Sequence, residues 1–261
     1  MEVEIDLKKT VVENANTYYE KAKQCRRKID GAKKALSNTE SRPSKRKAET
    51  IRIRKKSDLR WYETFRWFTS SDGFLVVGGK DATSNETLIK KHTNAADMVF
   101  HANVQGAPFF VVNNPDEKDI PATTLEEAAQ ASAAYSSAWK AGAGSCDVYA
   151  VKPEQLSKTP ESGEYLAKGA FVVRGTREWH KNVALRVCIG FSSNDCRVFG
   201  GPEGISGTLN AYIILEPGDR KTADTAKDIR EYLRKKINVD LPLEEIQRWI
   251  PSGGSHIREK R

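Results

Sequence analysis

"WYETFRWFTSSDGFLVVGGKDATSNETLIKKH", running from Trp61 to His92, is the stretch that decides how this 261-residue chain folds. Trp61, Tyr62, Phe65, Trp67 and Phe68 crowd into eight residues with Arg66 among them. Asp72-Gly73 is a turn signal, and "FLVVGG" is a short apolar run of the kind that makes a buried strand. "SNETLIKKH" follows as a short helix, with Thr83 and Glu86 spaced as a capping box. Gly78-Gly79 is expected to be a tight turn that uses the positive φ angles open to glycine. Aromatics, strand, turn and helix in such close order place the start of a folded body at Trp61.

Upstream the sequence changes in kind. Residues 1–60 hold 18 Lys/Arg against 9 Asp/Glu, a net of +9, whereas the remaining 201 hold 25 against 26. The chain's formal charge of +8 therefore comes from its first segment. A basic arm on a nearly neutral body suits contact with a polyanion, most simply RNA. Val11, Ala15, Tyr18, Ala22, Cys25, Ile29, Ala32 and Leu36 alternate spacings of four and three, a heptad seam. Thr10 and Glu13 fit a capping box at its start. Pro43 and its neighbouring serines break the helix, and "RKAETIRIRKKSDLRW" is expected to return as a second one.

Downstream, "DMVFHANV", "PFFVVNN", "CDVYAVK", "AFVVRG", "ALRVCIGF", "CRVFGG" and "AYIILEPG" read as strands. "TTLEEAAQASAAYSSAWKAG" reads as one helix, opened by Thr123 and Glu126 and stopped near Gly142. "TADTAKDIREYLRKKI" and "LPLEEIQRWI" give two closing helices. Strands cluster without regular strand–helix alternation, which predicts an α+β fold. Its body is a mixed β-sheet with packed helices, preceded by an N-terminal antiparallel helical hairpin. The expected division is a basic coiled-coil arm over 1–60, an α+β domain over 61–178, and an extension over 179–261 packed on the same body.

Catalytic templates fit poorly. Neither Gly-x-Gly-x-x-Gly nor a Walker A loop surrounds Gly78-Gly79, although a phosphate could rest on the backbone donors at that helix start. His101 has no Gly-x-Ser-x-Gly partner, and no pair of carboxylates is spaced for acid–base work. Cys25, Cys146, Cys188 and Cys196 are too scattered for zinc and are expected to be buried free thiols. No catalytic residue, metal, cofactor or small-molecule substrate is expected, and the chain is not read as an enzyme. No apolar run approaches the roughly 20 residues that span a bilayer. "MEVEIDLKK" lacks the apolar centre of a secretory signal, so the expectation is cytoplasmic, without a membrane partner.

The consecutive motifs "WYETFRWFTSSDGFLVVGGKDATSNETLIKKH", "DMVFHANVQGAPFFVV", "TLEEAAQASAAYSSAW" and "DVYAVKPEQLSKTPESGEYLAKGAFVVRG" closely resemble the RNA-associated C-terminal domain of the NFACT family, in its archaeal branch. That family includes the nuclear export mediator factor and the proteins long labelled fibronectin-binding protein A. "VVENANTYYEKAKQCRRKIDGAKKAL" is similar to the start of the family's central coiled coil, so the likeness spans about residues 5–175 and, more loosely, the tail. The resemblance implies a role in ribosome-associated quality control. Its expected partners are a large ribosomal subunit obstructed by peptidyl-tRNA, tRNA itself, and the family's N-terminal domain in cis or in trans. It also implies support for untemplated C-terminal tailing of the stalled chain, with the peptide bond made by the ribosome. A rival reading is a protein-interaction scaffold that uses the arm and ignores RNA.

On the body, the RNA-binding candidates are Arg60, Arg66, Lys80, Lys90, Lys91, His92, His101, Arg174, Arg177 and Lys181. On the arm, phosphate contacts are expected from Arg26, Arg27, Lys33, Lys34, Arg46, Lys47, Arg52, Arg54, Lys55 and Lys56. "VVRGTREWHKN" mixes Arg174, Arg177, His180 and Lys181 with Trp179, which suits backbone contact and stacking or, equally, a solvated loop with one anchored tryptophan. The leading aromatics are expected to anchor the arm onto the body.

Overall fold

A computed structural model describes residues 6, 10–40, 49–50, 60–159 and 166–261. The chain divides into two compact units, Met1–Lys47 and Ala48–Arg261. In the first, α1 (Val11–Glu40) is a 30-residue helix, about 45 Å long at 1.5 Å per residue. It starts where the sequence places its cap: the Glu13 N–H donates to Thr10 Oγ1, and Glu13 Oε2 accepts from the Thr10 N–H at 2.7 Å. Val11 and Ile29 of the seam are solvent-exposed. Arg46, Lys47, Arg52, Arg54, Lys55 and Lys56 lie outside the described residues. Of the expected returning helix, Glu49 and Thr50 are described, and they form a two-residue strand instead (β1, Glu49–Thr50).

The second unit opens with a 3-10 turn over Trp61–Thr64. Its first sheet draws on β2 (Arg66–Thr69), β3 (Leu75–Gly78), β4 (Met98–Ala102), β5 (Phe109–Asn113), β6 (Ser145–Val151) and β9 (Glu178–Ala184). They lie in the order β2-β3-β5-β4-β6-β9, and every pairing is antiparallel. α2 (Ala82–Lys91) touches β3, and α3 (Ala122–Ala134) lies against β4, β5, β6 and β9. α4 (Ser137–Lys140) follows α3. The ladder of β7 (Leu156–Ser157) with β8 (Val172–Val173) precedes β9.

The second sheet is also antiparallel. It comprises β10 (Val187–Ser192), β11 (Arg197–Gly201), β12 (Ala211–Arg220) and β14 (Ser255–Lys260), in the order β11-β10-β12-β14. α5 (Thr222–Ile237) lies against β12 and β14, and α6 (Leu243–Gln247) lies against α5 and β11. One hydrophobic core runs through both sheets. Trp67 of β2 meets Phe199 of β11 edge to face at 5.3 Å. The Tyr135 hydroxyl donates to Trp249 O at 2.8 Å, so the segment after α3 is tied to the C-terminal helices.

The α+β class is therefore the one this chain adopts, with one refinement to its sheets. Parallel pairing is confined, among the described residues, to β1 with β13 (Val239–Asp240), and neither larger sheet is itself mixed. Several local expectations are corrected. The box that caps α2 is Asp81 with Ser84, not Thr83 with Glu86: Ser84 N–H donates to Asp81 Oδ1 at 2.8 Å and Asp81 N–H to Ser84 Oγ at 2.9 Å. α3 starts after Pro121, without a side-chain cap from Thr123. The helix expected to run on towards Gly142 breaks at Tyr135, because Ser136 turns its hydroxyl onto Ala133 O and caps a new turn. Gly78 and Gly79 have no positive φ. Their glycine character comes from close packing, since a methyl group would overlap the Phe110 ring at Gly78 and the Asn85 carboxamide at Gly79. All four cysteines are free, but only Cys188 is buried, and Cys25 and Cys196 are exposed.

Candidate nucleic-acid interface

Antiparallel register builds the site. Residues directly opposite on neighbouring strands share a face, and here Phe109 pairs with His101, His101 with Tyr149, and Tyr149 with Trp179. Four rings from β5, β4, β6 and β9 thus form a row across the first sheet. Successive centroids are 4.5, 5.6 and 5.6 Å apart. The row runs from the core to solvent: Phe109 is 3% exposed, Tyr149 7% and Trp179 40%. Cations cover its outer end, with the Arg177 guanidinium 4.7 Å over Tyr149 and the Lys181 ammonium 4.2 Å over Trp179. Asp147 holds Lys181 in place at 2.8 Å and also accepts from the Asn182 N–H.

His101 lies between two cavities. The smaller, about 200 Å³, is lined by His101, Gln105, Tyr149 and Arg177. The larger, about 600 Å³, lies beside the Gly79–Lys80 turn and is lined by Arg66, Lys80, His101, Tyr135, Lys140 and Lys168 among others. Burial lowers the His101 pKa to about 4, so its imidazole is neutral at pH 7 and contributes a ring and a hydrogen bond rather than a charge. Its Nδ1 is 3.3 Å from the Tyr149 hydroxyl.

In the larger cleft, Arg66 Nη1 donates to Gly79 O at 2.9 Å, and the guanidinium stacks 4.7 Å from the Tyr135 ring centroid. Its Nε is buried without a hydrogen-bond partner. Lys80 is exposed as a residue, but its ammonium turns inward to Thr64 O at 2.6 Å. Burial, then the neighbouring Arg248 and Arg66 guanidiniums, lower its pKa to about 8.

The structure thus brings Arg66, Lys80 and His101 to one cleft, and His101, Arg177 and Lys181 to the adjoining aromatic row. The other body candidates are elsewhere. Lys90 pairs with Glu86 on α2, Lys91 is exposed in the same turn, and His92 stacks on Trp61 with centroids 4.3 Å apart. Arg60 donates to the Tyr62 hydroxyl, and Arg174 is an exposed residue after β8. On the arm, Arg26, Arg27 and Lys33 are exposed on α1, which also carries Lys34.

Nothing in the sequence alone marks Tyr149, Lys140 or Lys168 for this site. Alternation in "CDVYAVK" opposes Tyr149 to Val148 and Ala150, but only the strand register tells which rings it joins. Among the described residues, no group of three or more His, Cys, Asp or Glu side chains could hold a metal. No helix among them is long and apolar enough to cross a membrane.

Residues 64–175 match the family model described as NFACT protein RNA binding domain. The chain is 42% identical over 212 residues to the archaeal Rqc2 homolog aRqcH of Methanocaldococcus jannaschii, covering 80% of this chain and 31% of that protein. It is 36% identical over 184 residues to the ribosome quality control complex subunit NEMF homolog of Drosophila melanogaster, covering 68% of this chain and 18% of the relative. A solved structure, the C-terminal part of the fibronectin/fibrinogen-binding protein from Streptococcus suis, is 22% identical with a TM-score of 0.39, covering 60% of this chain and 56% of its own. The chain spans less than a third of the length of these two curated relatives. With the RNA-binding domain match inside a similarity that extends along most of the chain, this protein belongs to the NFACT family and is of the archaeal type.

Proposed function

We propose that the chain is the RNA- and ribosome-binding part of a cytoplasmic quality control factor. In this reading it engages large subunits stalled with peptidyl-tRNA and supports C-terminal tailing of the nascent chain as an adaptor without catalytic groups. Residues 1–60 are the basic arm, 61–178 the RNA-binding unit, and 179–261 an extension of the same body. The tRNA and the family's N-terminal domain, in cis or in trans, are its further partners. The observation that carries the reading is the aromatic row topped by Arg177 and Lys181. Rings supply stacking that tolerates any base, and the cations above them supply attraction for phosphate. The RNA-binding domain match supports the same conclusion.

Co-sedimentation of the whole chain with large ribosomal subunits across a salt series tests it. Binding should weaken steeply with salt, with a slope set by the number of phosphates neutralised. Arg26→Glu/Arg27→Glu/Lys33→Glu and Arg177→Glu/Lys181→Glu separate the arm from the body. Absence of binding at low salt rejects the RNA reading. The scaffold reading, which the exposed Val11 and Ile29 of α1 favour, predicts instead that Ile29→Asp abolishes partner capture while charge reversal does nothing.

A further inference from the structure

The cleft beside the Gly79–Lys80 turn has more structure than attraction to a phosphate backbone requires. It is a concavity of about 600 Å³, within the range of roughly 300–1,000 Å³ that encloses a small organic guest. A duplex keeps its bases stacked inside a broad convex surface and has no part that enters such a space. A nucleotide swung out of an unpaired strand does.

The lining carries both kinds of group such a nucleotide needs. Arg66, Lys80, Lys140 and Lys168 line the cleft against one carboxylate, Asp81. That carboxylate is already engaged in capping α2 through the Ser84 N–H. These cations therefore exceed the acidic charge in the lining, and they include the partnerless, buried Nε of Arg66. Phe109, Phe171, His101 and Tyr149 also line the cleft, and the imidazole among these rings is uncharged at neutral pH. A lining that holds both cations and aromatic rings matches a phosphate joined to a flat base.

We infer that the cleft seats one unpaired RNA nucleotide, its phosphate against Arg66, Lys80 and Lys168 and its base against the Phe109, His101 and Tyr149 rings. The inference rests on the RNA-binding reading above and narrows it, because it makes the protein a reader of unpaired rather than duplex RNA. His101 also lines the smaller cavity under Arg177, so a strand leaving the cleft continues over Tyr149 towards Trp179.

Fluorescence anisotropy on the full chain tests this with two probes, a labelled single strand of about eight nucleotides and a blunt duplex of the same length. Wild type should bind the single strand about tenfold or more tightly than the duplex. Lys80→Glu/Lys168→Glu should remove most of that preference by weakening single-strand binding more than duplex binding. Lys168→Glu alone, at an exposed residue, guards against a folding defect in the double variant and should act in the same direction. If wild type binds both probes equally, or the variants keep the preference, the cleft assignment is overturned while RNA binding stands. If wild type binds neither probe, the RNA reading itself falls, and the cleft assignment with it. If free uridine monophosphate raises the melting temperature as much as the oligomer does, the cleft is a small-molecule site and the assignment is again overturned.

Discussion

Trp179 lies directly across the β6–β9 ladder from Tyr149, with ring centroids 5.6 Å apart and planes crossing at 68°. Trp179 is 40% exposed against 7% for Tyr149, so it presents the larger open face of the pair and Tyr149 backs it. Trp179→Ala should therefore reduce single-strand RNA affinity by about 1–3 kcal/mol, the usual worth of a base–aromatic stack. Because Trp179 is 40% exposed, its loss should cost the fold less than the about 3–5 kcal/mol of a fully buried Trp→Ala change. Anisotropy titrations beside thermal melts check both halves. A large drop in melting temperature with unchanged affinity would make Trp179 a packing residue only.

Lys80 should give RNA binding a pH dependence in the alkaline range. Its pKa is lowered from 10.5 to about 8 by burial and by Arg248 and Arg66. Between those two values the unfolded chain holds a proton that the folded chain has lost, so stability gains as pH rises through this window. Binding moves the other way, because phosphate attracts only the charged ammonium. Affinity should hold below pH 8 and then fall by up to about tenfold per pH unit. Lys80→Arg keeps its charge throughout and should flatten the profile. Equal wild-type affinity at pH 7 and pH 9 would remove Lys80 from the interface.

Much of the architecture is legible in the sequence because it depends on local signals. The run of α1, its Thr10–Glu13 cap, the apolar strands β3 and β5, and α5 over Thr222–Ile237 all follow from periodicity and capping chemistry. β9 is harder to see. "EWHKNVA" is mostly polar because one side of an edge strand faces solvent, and charged residues there discourage unwanted pairing. The row Phe109–His101–Tyr149–Trp179 is harder still. Its members come from four strands spread over 79 positions, and only the register brings them into line. Charge marks Arg177 and Lys181 as candidates in the sequence, but it does not show that each lies over a ring.

Gly78 should be intolerant of any side chain, for a steric reason and not a conformational one. Its φ is ordinary, yet a Cβ there would overlap the ring of Phe110, which is 1% exposed and stacks on Tyr135. Overpacking a dense core usually costs about 1–3 kcal/mol, and the displaced ring would push on the Tyr135 face that supports Arg66. Gly78→Ala should therefore lower the denaturant midpoint. Gly73→Ala should also destabilise, but by strain, since Gly73 has φ +88° with open space around it. Gly78→Ala/Phe110→Leu should recover part of the loss at position 78, and no recovery would mean that the ring is not the obstacle.

Glu63 and Arg197 form an ion pair at 3.2 Å that joins the 3-10 turn at the start of the body to β11 of the second sheet. The carboxylate side chain is 4% exposed and the guanidinium 27%, so the two ends are not equally costly to strand. Removing Arg197 leaves a buried carboxylate without its charged partner, a defect worth about 3–5 kcal/mol when both members are fully buried. With Arg197 partly in water, Arg197→Met should cost about 2–3 kcal/mol, and more than Glu63→Gln, which leaves a group that can still reach solvent. The double variant should be more stable than Arg197→Met alone, because the stranded charge is then gone. Urea unfolding of the four proteins in a double-mutant cycle measures this directly. Strictly additive single effects would mean that the pair carries no coupling and that the two sheets are held together by other ties, such as the Trp67–Phe199 contact and the shared core.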